Sequence, residues 1–188
     1  MGSIDLQRFE SKNGTSVLLR SAGRDDAAAL VECCQAVWLP GDFFVTQADE
    51  FDLTEERARK WIWKHLHSDG SLMLLAETDG SLIGLLNFQC GGRRRVSHRG
   101  TFSIAVRPEF HGIGIGSAML QILIDWGKSN PTIEKLSLSV LATNCRAIKL
   151  YRRFGFVEEG RRINEVKLGP GQYVDDVLMY RFVSADES

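Results

Sequence analysis

Long apolar runs are missing from this 188-residue sequence. No uninterrupted one exceeds the five residues of Leu72-Met73-Leu74-Leu75-Ala76, far short of the roughly 20 a membrane helix needs, so no helical membrane protein is expected and no membrane as a partner. An excess of either charge is missing as well. The 23 basic and 24 acidic side chains leave a formal net charge of -1, and no global positive field would draw in nucleic acid or anionic lipid. Cysteine is scarce: Cys33, Cys34, Cys90 and Cys145 form neither a CxxC pair nor a metal-ligand spacing with the histidines, which fits a reducing, cytoplasmic setting. His65 and His67 stand two apart on a predicted helix and do not face one ion, so no metal is expected. The N-terminus shows no basic-then-apolar signal segment, and Leu6 occupies the position where a myristoylation signal wants Ser or Thr. Repeats, low-complexity tracts and long Pro/Gly/Ser linkers are also absent. With 44% hydrophobic and 25% charged residues, the composition is that of a folded soluble chain, read as one domain over 1–188.

What is present is an alternation of strand and helix signals. A strand-like run from Ser16 to Arg20 precedes a helical stripe of Ala27, Leu30, Val31, Cys34, Val37 and Trp38, which Pro40-Gly41 should stop. The segment from Gly41 to Phe51, with Asp42, Phe43 and Phe44, lacks periodicity and reads as a loop of the kind that lines pockets. Thr54 followed by Glu55-Glu56 predicts an N-cap for a second helix, with Ala58, Trp61, Ile62 and Leu66 inward. Leu72 to Thr78 and Ser81 to Gln89 flank Asp79-Gly80, the signature of a hairpin with a type I′ turn. Another strand, Thr101 to Val106, ends at Pro108, and a helix follows the glycine-rich loop His111 to Gly116. Leu136, Leu138 and Val140 alternate with serines as a strand; Thr143 or Asn144 caps a helix that closes at Gly155; and two strands flank Gly169-Pro170-Gly171. The expected order is β-α-α-β-β-β-α-β-α-β-β, an α/β fold with a mixed sheet.

The chemistry concentrates in two segments. In His111-Gly112-Ile113-Gly114-Ile115-Gly116-Ser117, three alternate glycines let the backbone turn tightly and aim N–H groups outward beside a helix N-terminus, a cradle for a diphosphate; a plain glycine-rich turn is the alternative. No Lys follows to make a P-loop. The dinucleotide fingerprint fails because its third glycine would fall on Ser117 or Met119. The second segment, Asn144 to Phe156, places Asn144 and Tyr151 two helical turns apart on one face. By itself Tyr151 reads as core, since it shares a stripe with Leu150 and Phe154; with the glycine loop upstream it becomes a functional candidate.

Together, the strand Phe102 to Val106, the glycine loop, the strand Leu136 to Val140 and the Asn144 to Phe156 segment resemble the GNAT superfamily of acyl-CoA-dependent N-acetyltransferases. The resemblance implies a mostly antiparallel seven-stranded sheet with splayed central parallel strands and about four helices. It implies acetyl-CoA as acyl donor, its diphosphate on His111, Gly112, Ile113, Gly114, Ile115, Gly116 and Ser117, with His111 where Arg or Gln is usual. The pantetheine arm would lie beside Ile104, Ala105 and Val106 and meet Asn144, and Tyr151 would protonate the departing thiolate, a step suited to a phenol of pKa near 10. Arg146 and Lys149 are candidate partners for the nucleotide phosphates.

Within the superfamily the closest likeness is to enzymes acetylating amino acids or related small amines, by direct attack of the amine in a ternary complex. Asn87, His98, Ser103 and Tyr173 are candidate acceptor contacts, with Arg95 or Arg99 able to meet a carboxylate; a solvated hairpin turn is the plainer reading of that basic run. The base is left to water or to a carboxylate such as Glu77, Glu50 or Asp175. Acetylation of protein N-termini, a nucleotide-dependent enzyme using the same loop, and a CoA-binding module without turnover are the rival readings. Exposed edge strands near the C-terminus leave room for a homodimer. Cys145 is read as a buried or half-buried cysteine, and most of Trp38, Trp61, Trp63 and Trp126 as core.

Overall fold

The computed structural model describes residues 3–39 and 43–183; the expected helix stop at Pro40-Gly41 and the loop residue Asp42 lie outside the described residues. Eight strands form one sheet in the order β1-β2-β3-β4-β5-β6-β8-β7. They are β1 (Gln7–Glu10), β2 (Ser16–Ser21), β3 (Ser71–Thr78), β4 (Ser81–Cys90), β5 (Arg99–Val106), β6 (Lys135–Leu141), β7 (Val157–Gly169) and β8 (Gln172–Phe182). Four helices accompany them: α1 (Ala27–Trp38), α2 (Glu55–Leu66), α3 (Ile115–Ser129) and α4 (Cys145–Arg153). Every neighbouring pair is antiparallel except β5 and β6.

The predicted order holds, with one strand more than the seven expected. Gln7-Arg8-Phe9-Glu10 has no hydrophobic alternation of its own; it becomes β1 by pairing with β2, as Phe9 opposite Val17 shows. The Asp79-Gly80 turn places both residues at positive φ (47° and 73°), as a type I′ turn requires. Thr54 caps α2, its hydroxyl accepting the Arg57 N–H at 3.3 Å.

The sheet is buried on both faces. Along β3, Leu72 and Leu74 pack with Phe88, Met119, Leu120, Leu123 and Tyr151 beneath α3 and α4, while Met73 and Leu75 pack with Leu30, Cys34, Ala58 and Ile62 beneath α1 and α2. On α2 the inward residues are Ala58, Ile62 and His65. Trp126 is buried, whereas Trp63 is 56% exposed and stacks on His67, and Cys145 is exposed, contrary to expectation.

Candidate active site

The parallel pair β5 and β6 begins together and then parts. Its register runs only from Arg99 opposite Lys135 to Thr101 opposite Ser137. Beyond that point β5 stays bonded to β4 through Val106, and β6 stays bonded to β8 through Leu141. The divergence opens a cavity of about 920 Å³ whose walls are the two freed strand ends, Phe102 to Val106 and Ser139 to Leu141. Ile104, Ala105 and Val106, the residues expected beside a pantetheine arm, lie on the freed end of β5 and line this cavity. Alternation along the strands sorts the walls: Phe102, Ile104 and Val140 belong to the α3/α4 side, and Ala105 to the α1/α2 side, so the cavity connects both faces through the gap.

At the α3/α4 mouth the cavity is lined by His111, Gly112, Gly114, Ile115, Gly116 and Ser117. Gly112 and Gly114 hold φ of 82° and 104°, a region costly to any side chain with a Cβ. The first helical bond of α3 runs from the Ala118 N–H to the Gly114 carbonyl at 3.0 Å. The N–H groups of Gly114, Ile115, Gly116 and Ser117 precede it and have no helical acceptor, which makes an anion cradle on the positive end of a 15-residue helix. Arg146 and Lys149 line the same mouth, joined by Lys12 and Arg153, which the sequence reading missed. Lys12 arrives because its N–H bonds the Ile113 carbonyl at 3.1 Å; Arg153 donates from Nη2 to the Ser117 hydroxyl at 2.6 Å. Ile113 itself is not among the lining residues. His111 donates from Nε2 to the Val106 carbonyl at 2.7 Å, tying loop to strand end. Burial, reinforced by the Arg146 charge, holds its pKa below the ordinary histidine value, so the neutral ring with hydrogen on Nε2 is favoured. Four cations and a run of unpartnered N–H groups fit the diphosphate of coenzyme A.

Tyr151, on α4, lines the cavity and is otherwise buried in the core. Its ring meets Phe102 and Phe156 edge-on, with centroids 5.9 and 6.0 Å away, while its hydroxyl has no hydrogen-bond partner among the described residues. Burial pushes the phenol up to about 12, so it holds its proton throughout the neutral range. Asn144 lines the cavity and caps α4, its Oδ1 accepting the Ala147 N–H at 3.1 Å. That bond uses one lone pair and leaves the amide N–H groups free.

Toward α1 the cavity is bounded by Val37, Phe43, Phe44, Val45 and Ser103, and on the β7/β8 side by Arg162, Glu165, Val166 and Asp176. Of the expected acceptor contacts only Ser103 lines it. Asn87 reaches the site indirectly, accepting a short hydrogen bond from the Ser103 hydroxyl. His98 lies at the closed end of the β5/β6 pair, where its carbonyl accepts the N–H groups of Glu134 and Lys135, because the strands part only downstream of it. Tyr173 sits near the β7/β8 turn, half exposed, with the Lys167 ammonium over its ring. The carboxylates considered as bases are elsewhere too. Glu77 is held by Arg20, Glu50 accepts its own turn's Gln47 N–H at 2.9 Å, and Asp175 accepts the Asn164 N–H at 3.0 Å. Its neighbour Asp176, on the opposite face of β8, lines the cavity instead. Among the described residues no group of three or more His, Cys, Asp or Glu side chains is placed to hold a metal.

Comparison with known proteins agrees with this geometry. Residues 34–156 match the family described as acetyltransferase (GNAT). Spermidine N(1)-acetyltransferase of Escherichia coli K12 is 29% identical over 143 residues, covering 76% of this chain and 69% of that protein. The L-amino acid N-acetyltransferase AaaT of the same organism is 31% identical over 122 residues, covering 64% and 75%. A GNAT-family acetyltransferase crystal structure from Streptococcus pneumoniae superposes with a TM-score of 0.84 at 31% identity, covering 89% of this chain and 99% of that one. The yncA structure from Salmonella typhimurium, solved with its cofactor acetyl-CoA, shares the fold with a TM-score of 0.78 at 19% identity, covering 92% and 96%.

Proposed function

The chain belongs to the acetyltransferase (GNAT) family and is an acyl-CoA-dependent N-acetyltransferase, and from that premise we propose that it acetylates the primary amine of a small molecule such as an amino acid, by direct attack in a ternary complex. The observation that carries the reading is the single cavity passing through the β5/β6 gap, basic and N–H-rich at one mouth and lined by Ser103, Arg162, Glu165 and Asp176 at the other. In this reading acetyl-CoA supplies the thioester carbon that the amine attacks. The α3 N–H groups with Lys12, Arg146, Lys149 and Arg153 hold the diphosphate; the free edge of β5 at Ile104 to Val106 holds the arm; Asn144 offers its amide; and Tyr151 gives its proton to the sulfur as the C–S bond breaks. Direct attack is supported by the cavity lining: among the described residues it includes no Cys, and its one His, His111, is bonded to the Val106 carbonyl.

A thermal-shift titration tests the donor. Acetyl-CoA at 100 times its Kd should stabilise by about 2.7 kcal/mol, with no shift from NAD or ATP; a shift from NAD or ATP alone would overturn the proposal. A reaction of this kind suits the cytoplasm, and no described helix is long and apolar enough to cross a membrane. The homodimer belongs to the same proposal. β7 is one of the two outer strands of the sheet and is exposed along most of its length, which leaves an edge that a second copy could extend. Sedimentation should give a dimer, and a monomer at high micromolar concentration would refute it.

A further inference from the structure

Arg162 and Asp176 stand opposite each other in the β7/β8 register and carry the most polar pair at the acceptor end of the cavity. Asp176 is the one buried acidic residue among the described residues, 7% exposed. Its Oδ2 accepts from Arg162 Nη1 at 3.0 Å, and the same Nη1 lies 3.8 Å from Glu165 Oε1. A buried carboxylate is costly, and its partner Arg162, whose side chain is 53% exposed, offsets that cost only in part. Here each member also keeps unused capacity. Asp176 Oδ1 and the Nε and Nη2 donors of Arg162 have no partner among the described residues, and Asp176 Oδ1 is not sealed from solvent. The pair thus presents one free anionic acceptor and one free edge of a planar donor fork, side by side on a cavity wall.

We propose that this pair selects the acceptor: Asp176 Oδ1 receives the acceptor's ammonium group and Arg162 receives an anionic group, a carboxylate, a few bonds away on the same molecule. The inference rests on the reading of the cavity as an acetyl-transfer site and names its substrate class as amines that carry a neighbouring carboxylate. A fork of two parallel N–H donors matches a carboxylate in the plane. The same guanidinium opposes a polycation, whose second ammonium would have to approach it. Glu165 adds a second carboxylate 3.8 Å from the same Nη1, so one guanidinium and two carboxylates leave the cluster formally negative, which suits the acceptor's ammonium at Asp176 Oδ1.

The local chain explains how the pair reaches the cavity. The β7/β8 register slips between Arg162 and Val166, where Asn164 takes φ of 53° and gives its N–H to Asp175. The irregularity turns Glu165 and Val166 toward the gap beside Arg162.

The test is steady-state kinetics of the purified full chain with acetyl-CoA and three acceptor sets: α-amino acids, the same compounds as carboxamides or decarboxylated amines, and spermidine. The wild type should favour the carboxylates by at least about tenfold in kcat/KM, because a site built for a charged group rejects the analogue lacking it. In Arg162→Gln that preference should fall to within threefold, through the acceptor KM, with the acetyl-CoA KM within twofold of wild type. Arg162→Lys, which keeps the charge and loses the fork, should fall between, and it guards against the Gln variant failing to fold around an unpaired Asp176. Carboxamides or spermidine acetylated as well as amino acids by the wild type would overturn the assignment and leave acetyl transfer standing. No turnover with any amine while acetyl-CoA binds would overturn the underlying reading, and the assignment with it.

Discussion

Replacing Tyr151 by Phe removes a single oxygen from a residue that lines the cavity, and the structure says what should and should not change. The ring contacts with Phe102 and Phe156 remain, and the hydroxyl gives up no hydrogen bond among the described residues. Folding stability should therefore stay within about 0.5 kcal/mol of wild type. The acetyl-CoA Kd should hold within twofold, because the N–H cradle and the four cations are untouched. Turnover should not hold. A positioned general acid contributes about 10²–10⁴-fold, or roughly 3–5 kcal/mol at 1.36 kcal/mol per decade. With the phenol pushed up to about 12, the proton is present across the neutral range, so the loss should be the same factor from about pH 7 to 9. The assay is the initial rate of thiol release at saturating acetyl-CoA, with melting temperature measured on the same preparation. A kcat within threefold of wild type would refute the acid role. A large drop in melting temperature would instead make Tyr151 a packing residue.

Three further outcomes follow from local geometry. Gly114→Ala forces a Cβ onto a residue at φ 104°, where it also meets Phe9 Cζ at 3.2 Å, so about 1–2 kcal/mol of stability and at least tenfold in acetyl-CoA affinity should be lost; a melting temperature that falls while calorimetric titration gives an unchanged Kd would mean that the cradle is only a turn. Asn144→Ala deletes the α4 cap and should cost about 1 kcal/mol, a melting shift of about 2–4 °C, whereas Asn144→Asp should restore it; an unchanged melting temperature in the Ala variant would contradict the cap. His65 is 2% exposed, with Nδ1 on the Trp61 carbonyl and Nε2 without a partner, and burial lowers its pKa. The unfolded chain then binds the proton more readily, so the stability it contributes is complete above about pH 6.5 and is lost as pH falls below that through the folded pKa. Melting temperature should fall with acid in this window and fall less in His65→Leu; parallel curves for the two proteins would refute it.

Most of the scaffold is legible in the sequence because its cues are local. Asp79-Gly80 dictates its own turn, Thr54 its own cap, and the Leu136-Leu138-Val140 alternation its own strand. The glycine loop is legible for the same reason, since its spacing places it before a helix; Tyr151 reads by spacing as core, and only the resemblance of the whole segment makes it a site residue. The acceptor side is not. β7 carries almost no apolar periodicity, so nothing in Arg161-Arg162-Ile163-Asn164-Glu165 announces which side chains face inward, and an irregular register decides it. Asp175 and Asp176 differ only by which face of β8 they occupy, and that parity is set by pairing with β6. Lys12 reaches the diphosphate end through a backbone bond to a loop about a hundred residues away in sequence, a juxtaposition that no local pattern encodes. His98 was drawn to the site by its nearness in sequence to β5, but β5 carries the chain away from it before the gap opens.

The most direct test of the account is to follow free coenzyme A thiol and N-acetylated amine together while both substrates are varied. The account predicts equimolar release of the two products and intersecting initial-rate lines, the pattern of a ternary complex. Thiol release without acetylated amine, or parallel lines with an acetylated enzyme, would contradict it.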